Sequence, residues 1–403
     1  MSALSRIGTA ASVAAIGALL LERSAHAGPC SSLPAPVLVI ESGDTQEPLL
    51  KALGQKLRNS ATPMTVLYKT TGTCTLTDDM YKGKVIAQSS NLSYLPTIAE
   101  DPLWNTSLPS PTCSVDAVGG LPIDVAIGAT FISSCTTDPP PAGMALITGG
   151  IQAYTFVVPK ASTQTAITAE EGYFTFGFGK NGQAQPWVDE QFLFVRTSSK
   201  STALTLAAAI NVPVTKLKGV AYDKSTEVLN SVATSPNPDK TIGLLGAELF
   251  DANREKVTVL AFRGFKQRYA YYPDSTTTSF DKRNVRDGHY LPWAPTPYIT
   301  RVDGAGEPTN PQAKTFIDLV RGKTTLPDVD GMAVSISKGL IPECAMKVTR
   351  QADGADLSLY SHPEPCGCYF ESKVPNGSTK CTACTDDTPC NGGKCRRNFC
   401  EAR

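Results

Sequence analysis

The sequence predicts an α/β fold that carries a small disulfide-stapled module at its C-terminal end. Three observations carry that prediction. From residue 36 onward an apolar run, a stretch of helix-spaced leucines and a second apolar run follow one another, the order of a crossover unit in a mixed, mainly parallel sheet. A second set of such elements follows Pro139-Pro-Pro141, a stiff connector. Eight of the twelve cysteines lie beyond residue 343, among Gly, Pro, Asn and Lys with few aliphatic residues, a composition that needs bridges to hold a fold.

The first 27 residues read as a secretory signal: Arg6, an apolar run over residues 7–21, and Ala25-His-Ala27. That run has about fifteen residues where a bilayer span takes roughly twenty, so cleavage after Ala27 is expected rather than a retained anchor. Pro29 before Cys30 argues against lipidation. The mature chain is expected in the periplasm, at the cell surface or outside the cell.

Residues 37–40 form a buried strand, Ser42-Gly-Asp-Thr45 a turn and cap, and Leu49, Leu50, Leu53 and Leu57 mark a helix. Residues 64–68 are the next strand. A Pro- and Ser-rich loop over 95–113 leads to a strand at 123–127 that ends in Gly128-Ala-Thr130. Beyond the proline connector come a strand at 154–158 and a helix that Thr168 opens, with Glu171 completing a capping box. A strand at 192–196, helices at 202–210 and 225–232, and strands at 241–245 and 257–262 follow. Tyr269, Tyr271, Tyr272, Tyr290, Trp293 and Tyr298 are expected in core and inter-lobe packing, and residues 315–320 form a helix.

The cysteines divide into four early ones, Cys30, Cys74, Cys113 and Cys135, and eight late ones. Export and even counts predict two bridges in the body and four in the tail, with connectivity open. Cys381-Thr-Ala-Cys384 also has zinc-ligand spacing, but an oxidising compartment favours disulfides. No metal or cofactor is expected.

Lys and Arg total 37, as do Asp and Glu; without a basic surface no nucleic-acid partner is expected. Only His289 and His362 follow the signal, and neither a Gly-x-Ser-x-Gly elbow, a His-Glu-x-x-His motif nor a Gly-Lys-Ser/Thr phosphate loop occurs. The chain is therefore not read as an enzyme, and His289 is assigned to surface or hinge packing. Three hydroxyl-rich loops instead stand between a strand end and a helix start: Ser42-Gly-Asp-Thr45, Thr70-Thr-Gly-Thr-Cys-Thr75 and Thr197-Ser-Ser-Lys-Ser-Thr202. Singly each reads as an ordinary cap or turn. Helix starts present unpaired N–H groups and partial positive charge, and such loops gather at the carboxyl ends of strands, so together they predict one oxyanion site.

In this arrangement the chain resembles the bacterial phosphate-binding proteins of periplasmic transport systems, over residues 35–300. The resemblance rests on Tyr68-Lys-Thr-Thr-Gly-Thr-Cys74, on residues 168–179 with Pro186-Trp-Val-Asp189, and on Val195-Arg196 with Ser199-Lys-Ser201. Ile242-Gly-Leu-Leu-Gly246 and Arg286-Asp-Gly-His-Tyr290 extend it. It implies a two-lobed, periplasmic-binding-protein-like fold: lobe one over 34–150 and 255–343, lobe two over 151–254, and the cysteine-rich tail over 344–403. It also implies a monomer binding a small oxyanion such as phosphate in the inter-lobe cleft, with a membrane permease or envelope component as partner. The implied ligand residues are Gly43, Asp44 and Thr45; Gly72 and Thr73; Thr130; and Ser199, Ser201 and Thr202. Two departures stand out: Gly128-Ala-Thr130 has no carboxylate where the family places Asp, and Lys200 replaces a glycine. The competing expectation is a surface scaffold or adhesion protein that uses a degenerate binding fold and its tail.

Overall fold

A computed structural model describes residues 28–401; the segment read as an export signal lies outside the described residues. Lobe one opens with β1 (Val37–Gly43), α1 (Glu47–Arg58), β2 (Thr65–Thr71) and α2 (Thr73–Tyr81). β3 (Val85–Ile86) pairs with β6 (Leu121–Pro122), β4 (Asn91–Tyr94) and β5 (Thr112–Ser114) add an antiparallel edge to β2, and β7 (Val125–Ile127) returns beside β1. The long β8 (Met144–Pro159) then crosses into lobe two. There follow β9 (Ala166–Thr168), α3 (Ala169–Phe178), β10 (Leu193–Arg196), α4 (Ser201–Ala209), β11 (Val220–Tyr222), α5 (Ser225–Ala233), β12 (Ile242–Gly246), α6 (Ala247–Asp251), β13 (Val257–Val259) and β14 (Ala261–Arg263). The chain returns through α7 (Arg283–Arg286), β15 (Trp293–Arg301), α8 (Pro311–Arg321) and α9 (Gly331–Ser337). The tail holds β16 (Val348–Thr349), β17 (Ser358–Leu359), α10 (Gly367–Lys373), β18 (Lys394–Arg396) and β19 (Phe399–Glu401).

The main sheet runs β11-β10-β12-β8-β15-β7-β1-β2-β4-β5, with β13 also on β8. It is mixed: β2, β1 and β7 are parallel in lobe one, and β11, β10 and β12 in lobe two, while β8 and β15 join them antiparallel. Alternation along the strands explains two covered faces. Leu38, Ile40, Val66 and Tyr68 meet the leucines of α1 and Phe316 and Val320 of α8, while Val39, Leu67 and Ala126 meet Leu76 and Met80 of α2. In lobe two Phe156, Val158, Leu193 and Val195 face one core, and Val157, Phe194 and Leu245 face the other. Side chains that alternate across a strand, with helices on each side, give this layering.

The capping box at Thr168 and Glu171 forms as the sequence predicts. The residue 257–262 strand is in fact two, since β13 pairs with β8 and β14 with β9. β15 is absent from the sequence reading because Pro295 and Pro297 disqualify a central strand. A register shift between those prolines accommodates them, and opposite it a Cβ on Gly149 would lie 1.7 Å from the Tyr298 ring. Tyr290, Trp293 and Tyr298 are buried as expected, whereas Tyr269 is 55% exposed.

All twelve cysteines pair. Cys30–Cys113 and Cys74–Cys135 staple lobe one; Cys344–Cys366, Cys368–Cys381, Cys384–Cys395 and Cys390–Cys400 staple the tail. The zinc-spaced pair Cys381 and Cys384 thus goes to two different partners. Residue 344 is not a break in packing: Met346, Val348, Tyr369, Phe370 and Val374 join the core that holds Tyr290 and Trp293. The tail has enough large apolar side chains in its first half to dock on the body, which its cysteine content conceals in the sequence.

Candidate functional site

The loops leaving β1, β2, β7 and β10 converge between the lobes. A Cβ on Gly43 would sit 3.8 Å from both Thr45 Oγ1 and Thr73 Oγ1, and one on Gly128 2.9 Å from Thr73 Cγ2. Thr73 Oγ1 also accepts from the Ala129 amide at 3.3 Å. Gly43, Thr45, Thr73 and the Gly128-Ala-Thr130 loop therefore form one surface of lobe one. Lobe two closes directly onto it. A Cβ on Gly72 would lie 2.7 Å from Ser199 Oγ and 2.8 Å from its carbonyl oxygen, and the Cys74 amide donates to that carbonyl at 3.4 Å. Thr130 Oγ1 meets Thr205 Oγ1 of α4 at 2.9 Å, and the Tyr154 hydroxyl donates to the Ala129 carbonyl. Ser201 stands beside that hydroxyl, whose pKa burial pushes up. Of the sequence-predicted residues, these contacts bring together Gly43, Thr45, Gly72, Thr73, Thr130, Ser199 and Ser201, and they join the two lobes directly.

Its charge is arranged around Arg196, whose side chain has no exposure. Asp44 Oδ2 accepts from Arg196 Nη2 at 2.9 Å, from Ser225 Oγ at 2.9 Å and from the Ser225 amide at 3.1 Å. Asp44, read from sequence as a ligand group, is thus engaged by a cation and the start of α5, the partners an oxyanion would use. Lys200, buried at the N-cap of α4, turns its Nζ to Asp223 at 3.1 Å. Two buried hydroxyls, Thr45 Oγ1 in lobe one and Thr202 Oγ1 in lobe two, have no hydrogen-bond partner. A partnerless buried hydroxyl costs about 1–3 kcal/mol. Behind them Gln46 Nε2 donates to Gln152 Oε1 at 3.2 Å, and Gln152 Nε2 to Glu248 Oε2 at 2.6 Å. Burial raises the Glu248 carboxyl to about 8.

The sequence reading missed Asp353. Its Oδ2 accepts from Thr130 Oγ1 at 2.7 Å and Ser134 Oγ at 2.6 Å, so Thr130 too is engaged by the protein's own carboxylate. Asp353 stands in a tail segment, and only the Asp353-Gly354 turn pair marks it in sequence. Neither histidine joins the site: His289 is exposed and stacks on Tyr271 at 4.8 Å, and His362 packs near Tyr360.

Among solved structures, a protein described as a phosphate ABC transporter substrate-binding protein from Clostridium perfringens, with bound phosphate, matches at a TM-score of 0.51. Its identity is 11%, over 76% of this chain and 99% of that one. The fold is that of the two-lobed phosphate-binding receptors. An ABC-type phosphate transport receptor from Vibrio cholerae is also similar, with a TM-score of 0.49 and 12% identity, over 76% of this chain and all of that one. No protein-family model matches the chain, and no curated protein matches its sequence. At these identities the likeness shows the receptor fold alone.

Proposed function

We propose that the protein is an exported solute-binding protein that takes a small oxyanion between its lobes, with phosphate the first anion to test. The observation that carries the reading is the pair of partnerless buried hydroxyls, Thr45 and Thr202, one from each lobe, in a cleft built on buried Arg196. Helix starts at α2, α4 and α5 face the same cleft and favour negative charge there. The ligand donors are then Thr45, Thr73, Ser201 and Thr202, with backbone N–H groups at Gly43, Gly72 and Ser199. Asp44 borders the site on Arg196, and Thr130 is a further donor that Asp353 holds in this structure. A membrane permease or envelope component is the partner such a protein would deliver to, and six disulfides suit an oxidising compartment. The receptors of like fold are binding proteins by their descriptions, in keeping with a non-catalytic role.

The test is calorimetric titration of the oxidised protein with phosphate and sulfate at low salt. Saturable binding of one anion is expected, weakened by about 1–3 kcal/mol in Ser201→Ala and in Thr73→Ala. A second reading, a surface scaffold that keeps the receptor fold without its ligand, is favoured by the two carboxylates already in the cleft. Silence across both anions, in the wild type and in variants lacking those carboxylates, would establish it instead.

A further inference from the structure

The segment between Cys344 and Cys366 is a finger. Their disulfide closes its base, with Cα atoms 5.2 Å apart, and the Cys366 amide donates to the Cys344 carbonyl at 3.0 Å. Above the base β16 and β17 pair antiparallel, Val348 with Leu359 and Thr349 with Ser358, so residues 350–357 are the tip of a hairpin. Arg350 anchors the tip: it is 7% exposed, donates to the Trp293 carbonyl, and lies 4.3 Å from the centre of the Trp293 ring. Gly354, at φ +73°, lets the tip turn against α4, where a Cβ would come 3.4 Å from the Ala208 carbonyl oxygen. Asp353 then reaches the loop after β7 in lobe one, on Thr130 and Ser134.

We propose that this hairpin finger is a built-in occupant of the cleft: it ties the lobes together without ligand, and an incoming oxyanion must displace Asp353 to bind. The proposal rests on the solute-binding reading above. Three points support displacement rather than a permanent prop. Asp353 bonds through one oxygen, to two hydroxyls, and its other oxygen, Oδ1, is buried with no partner. Thr130 has a single proton, so it can serve Asp353 or an anion but not both. Asp353, part-buried on Thr130 and Ser134, and an anion on the same hydroxyls repel each other, which favours exclusive occupation. The finger's base, bridged and buried, keeps the tip beside the cleft after release, so the local concentration of its carboxylate stays high.

Hydrogen exchange of the full disulfide-bonded chain, with and without phosphate, tests the proposal in wild type, Asp353→Ala and Ser134→Ala. Ser134→Ala removes one contact while leaving the tip intact. Without anion, amides of residues 129–134 and 199–206 should exchange at least tenfold faster in both variants, and calorimetry should show phosphate binding at least tenfold tighter than in wild type. Unchanged exchange in both variants overturns the tie between lobes. Faster exchange with phosphate affinity equal to or weaker than wild type overturns displacement. Faster exchange with no phosphate bound by any of the three supports the tie and overturns phosphate binding as the cleft's function.

Discussion

Glu248 is a buried acid whose proton is linked to folding. Its carboxyl sits at about 8, against an ordinary value of 4.5, first because burial penalises the charged form and then because Asp44 and Asp251 are near. Between those pH values the folded chain holds a proton that the unfolded chain has released, so stability falls as pH rises from 4.5 through 8. The slope this group contributes is at most about 1.4 kcal/mol per pH unit. Glu248→Gln keeps an acceptor for Gln152 without the charge; urea denaturation at pH 5, 7 and 9 should show a flatter decline than wild type, and an equal decline would remove the linkage. Lys282 presents the opposite case. Its ammonium, 1% exposed, meets Asp251 at 2.7 Å and Asp274 at 2.9 Å, with Arg254 on the same two carboxylates. Lys282→Ala leaves two acids sharing one cation in the interior, and a loss of about 3–5 kcal/mol in the urea midpoint analysis is expected.

At the scale of elements, the closure of lobe two onto lobe one depends on a missing side chain. Gly72 has its backbone against Ser199, where a Cβ would stand 2.7 Å from Oγ and 2.8 Å from the carbonyl. Gly72→Ala must push the β2 and β10 loops apart and break the Cys74–Ser199 bond, an overpacking cost of about 1–3 kcal/mol. X-ray scattering should show a larger radius of gyration, and unchanged scattering with unchanged stability would mean the contact is slack. Such elements show where the sequence was legible. Apolar runs, the Thr168 capping box and the hydroxyl loops are local signals, and they located the strands, α3 and the converging loops. The pairs that define the cleft's charge are not local. Asp44 meets Arg196 across 152 residues, and Asp353 meets Thr130 across 223, so no window of sequence contains either pair. β15 hid for a different reason: the prolines that read as a break are absorbed by a shift in register.

For the molecule as a whole, β8 and β15 run side by side from Met144 to Ala153, and the tail docks on the core beside their far end. The first tail bridge therefore acts on the body, while Cys384–Cys395 closes a loop within the tail. Cys344–Cys366 closes 22 residues that include the finger, and removing such a link releases unfolded-chain entropy worth about 3 kcal/mol. The Cys344→Ser, Cys366→Ser double variant should lower the body's thermal transition and speed exchange in residues 129–134, because the finger loses its fixed base. Cys384–Cys395 closes 11 residues near the end of the chain, and the contacts of this region with the body, Phe399 partly buried on the core and Arg397 donating to the Gly322 carbonyl at 2.6 Å, lie outside that loop. Its double serine variant should leave the body's transition in place. Calorimetric melting of both variants decides between this layered stapling and a single cooperative unit: equal losses would show that the tail folds with the body as one, and would remove the finger's base as a separate point of control.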